Sequence, residues 1–223
     1  MNFVEYPDRD LMMISIADRL SSELRHVLQN QARVTFCVPG GTTPAPAFES
    51  LSAANIDWSR VNVILSDERW VTEDKPRSNT RLLKRHLLVN RAEAAYLQRI
   101  RAETATPEEA MEAMIAELRL VLPITVLLLG MGADMHVASL FPGADNLEAA
   151  LRADAPPLMA MRAETAPEPR VTLTAPALQG ALHTHILITG PEKRAALERA
   201  QGLSPREAPV KLVLKNATVH WAE

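Results

Sequence analysis

The chain of 223 residues has a single cysteine, Cys37. An internal disulfide is excluded, and so is a metal centre built on several thiolates. Cys37 stands at the end of an apolar run, where a lone thiol is more often a small core residue than a nucleophile. Long basic runs are also missing, and the formal net charge is −3, so nothing favours nucleic acid or an anionic membrane surface as a partner. No apolar run approaches the ~20 residues that cross a bilayer. The N-terminal MNFVEYPDRDL carries acids where a signal peptide would have a basic start and an apolar stretch. The expectation is a cytoplasmic protein with neither nucleic acid nor membrane as partner. What is present, 47% hydrophobic and 23% charged residues, is ordinary for a globular protein and fits one domain over residues 1–223.

Periodicity gives the elements. Met13, Ala17, Leu20, Leu24 and Val27 recur at spacings of three and four, which predicts a helix over 8–29. Residues 33–38 read as a short strand ending at Pro39-Gly40. Thr43 is placed to cap a second helix, with Pro44 in its first turn. Residues 61–65 form the next strand, which stops at Ser66-Asp67-Glu68-Arg69, and 79–88 look helical. Thr106 and Glu109 have capping-box spacing and open a helix reaching about Leu122. Ile124–Leu129 is a continuous apolar run, the kind buried on both faces of a parallel sheet. Further strands are read at 158–161, 170–174, 185–189 and within 210–221, with a helix over 191–201. Residues 152–169, rich in Ala, Pro and Glu, read as a surface excursion. Strands that alternate with helices predict an α/β fold with a mostly parallel sheet.

In such sheets ligands bind beyond the carboxyl ends of the strands. The first exit, Pro39-Gly40-Gly41-Thr42-Thr43-Pro44, offers turning backbone N–H groups, two hydroxyls and a helix start: an anion site, or a plain tight turn. It lacks the Gly-Lys-Ser/Thr of a P-loop and the third glycine of a dinucleotide fingerprint. The second, Ser66-Asp67-Glu68-Arg69, puts three charges after a buried strand, which are either solvated or used. The third, Gly130-Met131-Gly132-Ala133-Asp134-Met135-His136, sets an acid and a histidine two residues apart. They cannot make a zinc site alone, because no other His or Cys stands at ligand spacing. His136 could be a general base or a structural hydrogen-bonder. In the fourth, Gly190-Pro191-Glu192-Lys193, Lys193 lies in a helix's first turn, where the dipole disfavours a cation unless an anion shares the site. Arg170, which opens its strand rather than closing it, is a fifth element.

These motifs, taken in order and together with Ser78-Asn79, Ser139-Leu140-Phe141-Pro142-Gly143 and Arg170-Val171-Thr172-Leu173-Thr174, resemble those of the 6-phosphogluconolactonase family over most of the chain. The resemblance implies a Rossmann-like sheet with helices on both faces, shared with the glucosamine-6-phosphate deaminases. It implies hydrolysis of 6-phospho-D-glucono-1,5-lactone in the oxidative pentose phosphate pathway, with a phosphosugar lactone as the small-molecule partner, no cofactor and no metal. His136 matches the proposed catalytic histidine, which activates the attacking water. Gly40, Gly41, Thr42 and Thr43 match the phosphate-side loop, and Arg170 and Lys193 the basic residues that clamp the phosphate. Asp67 and Arg69 match an acid and a base expected to line the sugar pocket as part of the catalytic set, and Asp134 falls among the substrate-binding residues. A monomer or small homo-oligomer is compatible with all of this.

One position departs from the family. The common Asp-Gly-His reads Asp134-Met135-His136. A methionine disfavours the left-handed backbone that a glycine there would permit. Either the turn has ordinary dihedrals or Met135 fills a gap beside the site. Two rival readings are a glucosamine-6-phosphate deaminase or isomerase and a non-catalytic sugar-phosphate sensor. The deaminase pattern has a carboxylate soon after the histidine, in Phe-Asn-Glu-Pro, where this chain has Ser139-Leu140-Phe141-Pro142. A transcriptional sensor needs a DNA-binding segment, and the first ~30 residues hold only one helix.

Overall fold

The computed structural model describes all residues, 1–223. Its strands are β1 Asn2–Glu5, β2 Val34–Val38, β3 Val61–Leu65, β4 Asp67–Arg69, β5 Tyr96–Gln98, β6 Val126–Gly130, β7 Leu158–Ala163, β8 Ala166–Leu173, β9 His183–Thr189 and β10 Ala217–Ala222. The helices are α1 Arg9–Leu28, α2 Ala45–Ser52, α3 Asn79–His86, α4 Met111–Arg119, α5 Leu147–Leu151, α6 Ala175–Gln179, α7 Gly190–Ala200 and α8 Lys211–Leu214.

Seven strands form one parallel sheet in the order β1-β10-β9-β6-β2-β3-β5. From β2 the chain winds outward through β3 to β5, and from β6 it winds the other way through β9 and β10. The reversal falls between the neighbours β2 and β6, so right-handed crossovers place helices on both faces. The central strands β2, β3 and β6 are buried except at Gly130, as their largely apolar sequences require. Cys37 lies inside β2 with no exposure, and burial pushes its thiol well above the usual range.

A second, antiparallel sheet has the order β4-β8-β7. It shares one continuous hydrophobic core with the first through Leu158, Met161, Val171 and Leu173. Here the structure corrects the expectation for 152–169. Much of that stretch is the β7–β8 hairpin, and Asp67–Arg69, expected as an exit loop, is the strand that β8 pairs with. Arg170 therefore sits inside a long strand rather than at its start.

Two helix starts also differ from expectation. α2 begins at Ala45 with Pro44 before it, and no side chain caps it, so Thr43 is not the cap. The Thr106–Glu109 pair forms (Thr106 N–H donates to Glu109 Oε1 at 3.2 Å), but it introduces a single 3₁₀ turn before α4, which ends at Arg119. No helix is long and apolar enough to cross a membrane.

Candidate active site

At the switch point the ends of β2 and β6 open a cleft of about 220 Å³, walled on its other sides by β4, β8 and the start of α7. Eight of the ten expected site residues line it: Gly40, Gly41, Thr43, Asp67, Arg69, His136, Arg170 and Lys193. Thr42 is exposed and lies outside it. Asp134 is also outside the lining. Its carboxylate stands against the histidine instead.

The β6 exit shows how the histidine is set. Met135 N–H donates to Gly132 O at 2.9 Å, and Gly132 N–H donates to His136 O at 3.0 Å, which folds 132–136 into a closed turn. Asp134 Oδ1 accepts from His136 Nδ1 at 2.5 Å and from the His136 backbone N–H at 3.3 Å. An ionised carboxylate only accepts, so Nδ1 carries the proton and Nε2 presents a lone pair. No protein group bonds Nε2. Burial pushes the Asp134 carboxyl up, but the hydrogen bond and charge of His136 outweigh burial and hold it below its usual value. The ring packs on Phe141, with centroids 4.5 Å apart. Glycine at 132 is required sterically, since a Cβ there would collide with the His136 ring and the Asp134 carboxylate.

Met135 does take the left-handed conformation, with φ +66°, and Ala138 does likewise at +51°. Of the two alternatives for this position, ordinary dihedrals are ruled out. The left-handed residue lets the side chains on either side of it, Asp134 and His136, turn toward each other. Its cost, of order 1–2 kcal/mol, is opposed by packing of the half-buried Met135 side chain on the core and by a bond from Val210 N–H to Met135 O at 3.0 Å.

The opposite wall is cationic. In the β4–β8 ladder Arg69 pairs directly with Arg170. Like charges opposite each other destabilise a sheet unless something between them is negative. Asp67 answers only in part: its Oδ2 lies 3.8 Å from Arg170 Nη1 while also accepting from Ser139 Oγ at 2.6 Å. Both guanidinium Nε atoms are buried without a partner. Burial lowers the Arg170 pKa; Asp67 opposes that shift and Arg69 adds to it. Lys193 makes no ion pair and is half-buried, and burial lowers its pKa against the opposing charge of Glu192. It stands beside the first turn of α7, where the capping position, Thr189, supplies no side-chain bond. Three cations with spare donors thus face one cleft beside the Gly40-Gly41 turn, the arrangement that holds a phosphate or another small anion.

Sequence reasoning gave no role to Glu68 and treated Asn79 as a helix start. Glu68 is 1% exposed, yet its carboxylate accepts from the N–H groups of Asn79 and Thr80 at 2.8 and 2.7 Å and from Thr80 Oγ1 at 2.8 Å. It neutralises the start of α3. Asn79 lines the cleft. The run of three charges after β3 was the available signal for Glu68; the pairing across residues 67–80 could not be read locally.

A doubly wound α/β chain with an aspartate-held histidine in a cationic cleft at its switch point has the architecture of enzymes that act on small anionic substrates. The family model described as glucosamine-6-phosphate isomerases/6-phosphogluconolactonase matches residues 7–221, and the chain belongs to that family. It is 37% identical to a 6-phosphogluconolactonase of Mesorhizobium japonicum, over 99% of this chain and 95% of that one. The crystal structure of a 6-phosphogluconolactonase from Shewanella baltica superposes with a TM-score of 0.96 at 31% identity, covering 100% of this chain and 98% of the other. A monomeric glucosamine-6-phosphate deaminase has the same fold, with a TM-score of 0.81 at 13% identity over 100% of this chain and 98% of the other.

Proposed function

We propose that this chain hydrolyses 6-phospho-D-glucono-1,5-lactone to 6-phospho-D-gluconate, the lactonase step of the oxidative pentose phosphate pathway. The enzyme is then a carboxylic ester hydrolase. The single observation that carries the reading is the Asp134–His136 pair, whose unpartnered Nε2 belongs to the same cleft as Arg69, Arg170 and Lys193. The names of its relatives support the same substrate.

The chemistry follows from these groups. His136 Nε2 takes a proton from water as the water oxygen attacks C1 of the lactone. Asp134 stabilises the imidazolium that forms and keeps the ring oriented. Charge develops on the C1 oxygen, where a spare Arg69 donor stabilises it. The tetrahedral species collapses with cleavage of the bond from C1 to the ring oxygen, and His136 returns its proton to that oxygen. Gly40, Gly41, Thr43, Arg170 and Lys193 hold the phosphate, and Asp67 faces the sugar hydroxyls. Thr42 acts through the shape of the loop. No step needs a metal or an organic cofactor. The deaminase alternative has less support, because Asp134 is the one carboxylate on the His136 ring and the segment after the ring, through Gly143, carries none.

The test is a coupled assay with freshly generated lactone, corrected for its spontaneous hydrolysis and run beside glucosamine 6-phosphate. Product formation above background with the lactone alone is expected. Turnover of glucosamine 6-phosphate with no acceleration of lactone loss would overturn the proposal.

A further inference from the structure

Asn79 opens α3, and an asparagine at a helix start is ordinarily a cap. Here that work is done by others. Ser78 Oγ accepts from Arg81 N–H at 3.2 Å, and Glu68 takes the N–H groups of Asn79 and Thr80. The Asn79 carboxamide is left for a different task, although it is 1% exposed.

That carboxamide is spent on β4. Oδ1 accepts from Arg69 Nη1 at 2.7 Å, and Nδ2 donates to Asp67 O at 2.9 Å. The partners fix which end is which, because a guanidinium only donates and a carbonyl only accepts. With its own N–H on Glu68, one residue thus touches three consecutive residues of the strand. Arg69 has one other protein acceptor, Arg77 O at 2.8 Å on the same Nη1, and faces the like charge of Arg170 across the ladder. The carboxamide also lies under the phosphate-side turn, where a Cβ at Gly40 would collide with it.

We propose that Asn79 is a positioning residue of the cleft: it aims the Arg69 guanidinium at the substrate. The inference rests on the lactonase reading for what Arg69 does, and on geometry alone for what Asn79 does to Arg69. Removing the carboxamide leaves Arg69 with one protein acceptor and with Arg170 opposite it in the ladder, so the guanidinium moves from its productive place.

A double-mutant cycle tests this. Wild type, Asn79→Ala, Arg69→Ala and the double variant are compared in kcat/KM for the lactone, with thermal midpoints taken on the same preparations. Asn79→Ala is expected to lose about tenfold and Arg69→Ala about a hundredfold, the scale on which misplaced groups cost rate. The double variant is expected to lose no more than Arg69→Ala, because Asn79 then has nothing to aim. Losses that multiply, or a wild-type kcat/KM in Asn79→Ala, would overturn the proposal. If Asn79→Ala is unfolded at the assay temperature, Asn79→Ser carries the same cycle with the same criteria. If the wild type does not accelerate lactone hydrolysis, the lactonase reading falls by itself. The cycle is then read as calorimetric affinity for inorganic phosphate, where multiplying losses overturn the role of Asn79 and non-multiplying losses support it.

Discussion

Two histidine–carboxylate contacts in this molecule have nearly the same length and opposite character. At the cleft, His136 Nδ1 meets Asp134 at 2.5 Å; beneath α1, His185 Nε2 meets Glu23 at 2.8 Å. The second belongs to a buried chain. Tyr6 Oη donates to His220 Nδ1 at 2.8 Å, His220 Nε2 donates to His185 Nδ1 at 3.0 Å, and His185 Nε2 donates to Glu23. The carboxylate fixes every tautomer along it, and all four ring nitrogens are used. His136 keeps one nitrogen free, its side chain is 29% exposed, and it sits on a left-handed turn beside cations. A carboxylate beside a histidine is therefore not a site. The unspent nitrogen, the open cleft and the strained turn distinguish the pair that can do chemistry from the pair that holds β9 and β10 to α1.

The contrast can be broken from either end. Among variants of the two histidine–carboxylate contacts that leave both rings in place, Asp134→Asn should have the largest effect. Turnover falls roughly tenfold to a hundredfold, because a neutral partner no longer stabilises the imidazolium, while the thermal midpoint stays near wild type. Equal turnover by Asp134→Asn would remove the aspartate from the chemistry. Lys193→Ala should raise KM about tenfold, the worth of one charge-assisted hydrogen bond, with kcat little changed; an unaltered KM would take Lys193 out of the phosphate site.

The buried chain makes a prediction about stability alone. Burial, helped by the neighbouring His185, lowers the His220 pKa from 6.5 to about 4. The unfolded chain thus takes up this proton first as pH falls. Stability should be level in this respect above pH 6.5, decline between pH 6.5 and about 4, and lose nothing further from this group below that. The decline is at most about 3 kcal/mol. Urea midpoints across that range test it, and His220→Gln should flatten the profile; a midpoint that rises on acidification would contradict it. The smallest effect expected is that of Met135→Gly. Relief of the left-handed strain opposes the lost packing and the added freedom of the unfolded chain, so stability stays within about 1 kcal/mol and turnover is retained. A large loss of turnover would mean that the Met135 side chain shapes the site.

Much of this was legible because it is local. The largely apolar runs of β2, β3 and β6, each followed by glycine or charge, located the parallel sheet and three of its exits, including His136 and the Gly40-Gly41 turn. The second sheet was legible only in part: the runs at 158–161 and 170–174 read as strands and fall in β7 and β8, but β4 and the antiparallel pairing did not show. Asp67–Arg69 has too few apolar residues to read as a strand, and the Ala- and Pro-rich hairpin that pairs with it has weak strand propensity, so its conformation is set by tertiary pairing. The Arg69–Arg170 pair and the Asn79 contacts depend on that pairing and were hidden with it. Met135 misled in a different way. Its side chain argues against a left-handed backbone, but the bonds that close the 132–136 turn and the contact from Val210 outweigh the preference.

The most direct test sets the two histidines side by side. His136→Asn and His220→Gln are prepared together, and each is measured for lactone turnover above the spontaneous background and for its thermal midpoint. The expected result is a loss of roughly a hundredfold or more in turnover with an unchanged midpoint for His136→Asn, and a lowered midpoint with near-wild-type turnover for His220→Gln. Wild-type turnover by folded His136→Asn would contradict the assignment of that ring nitrogen as the general base.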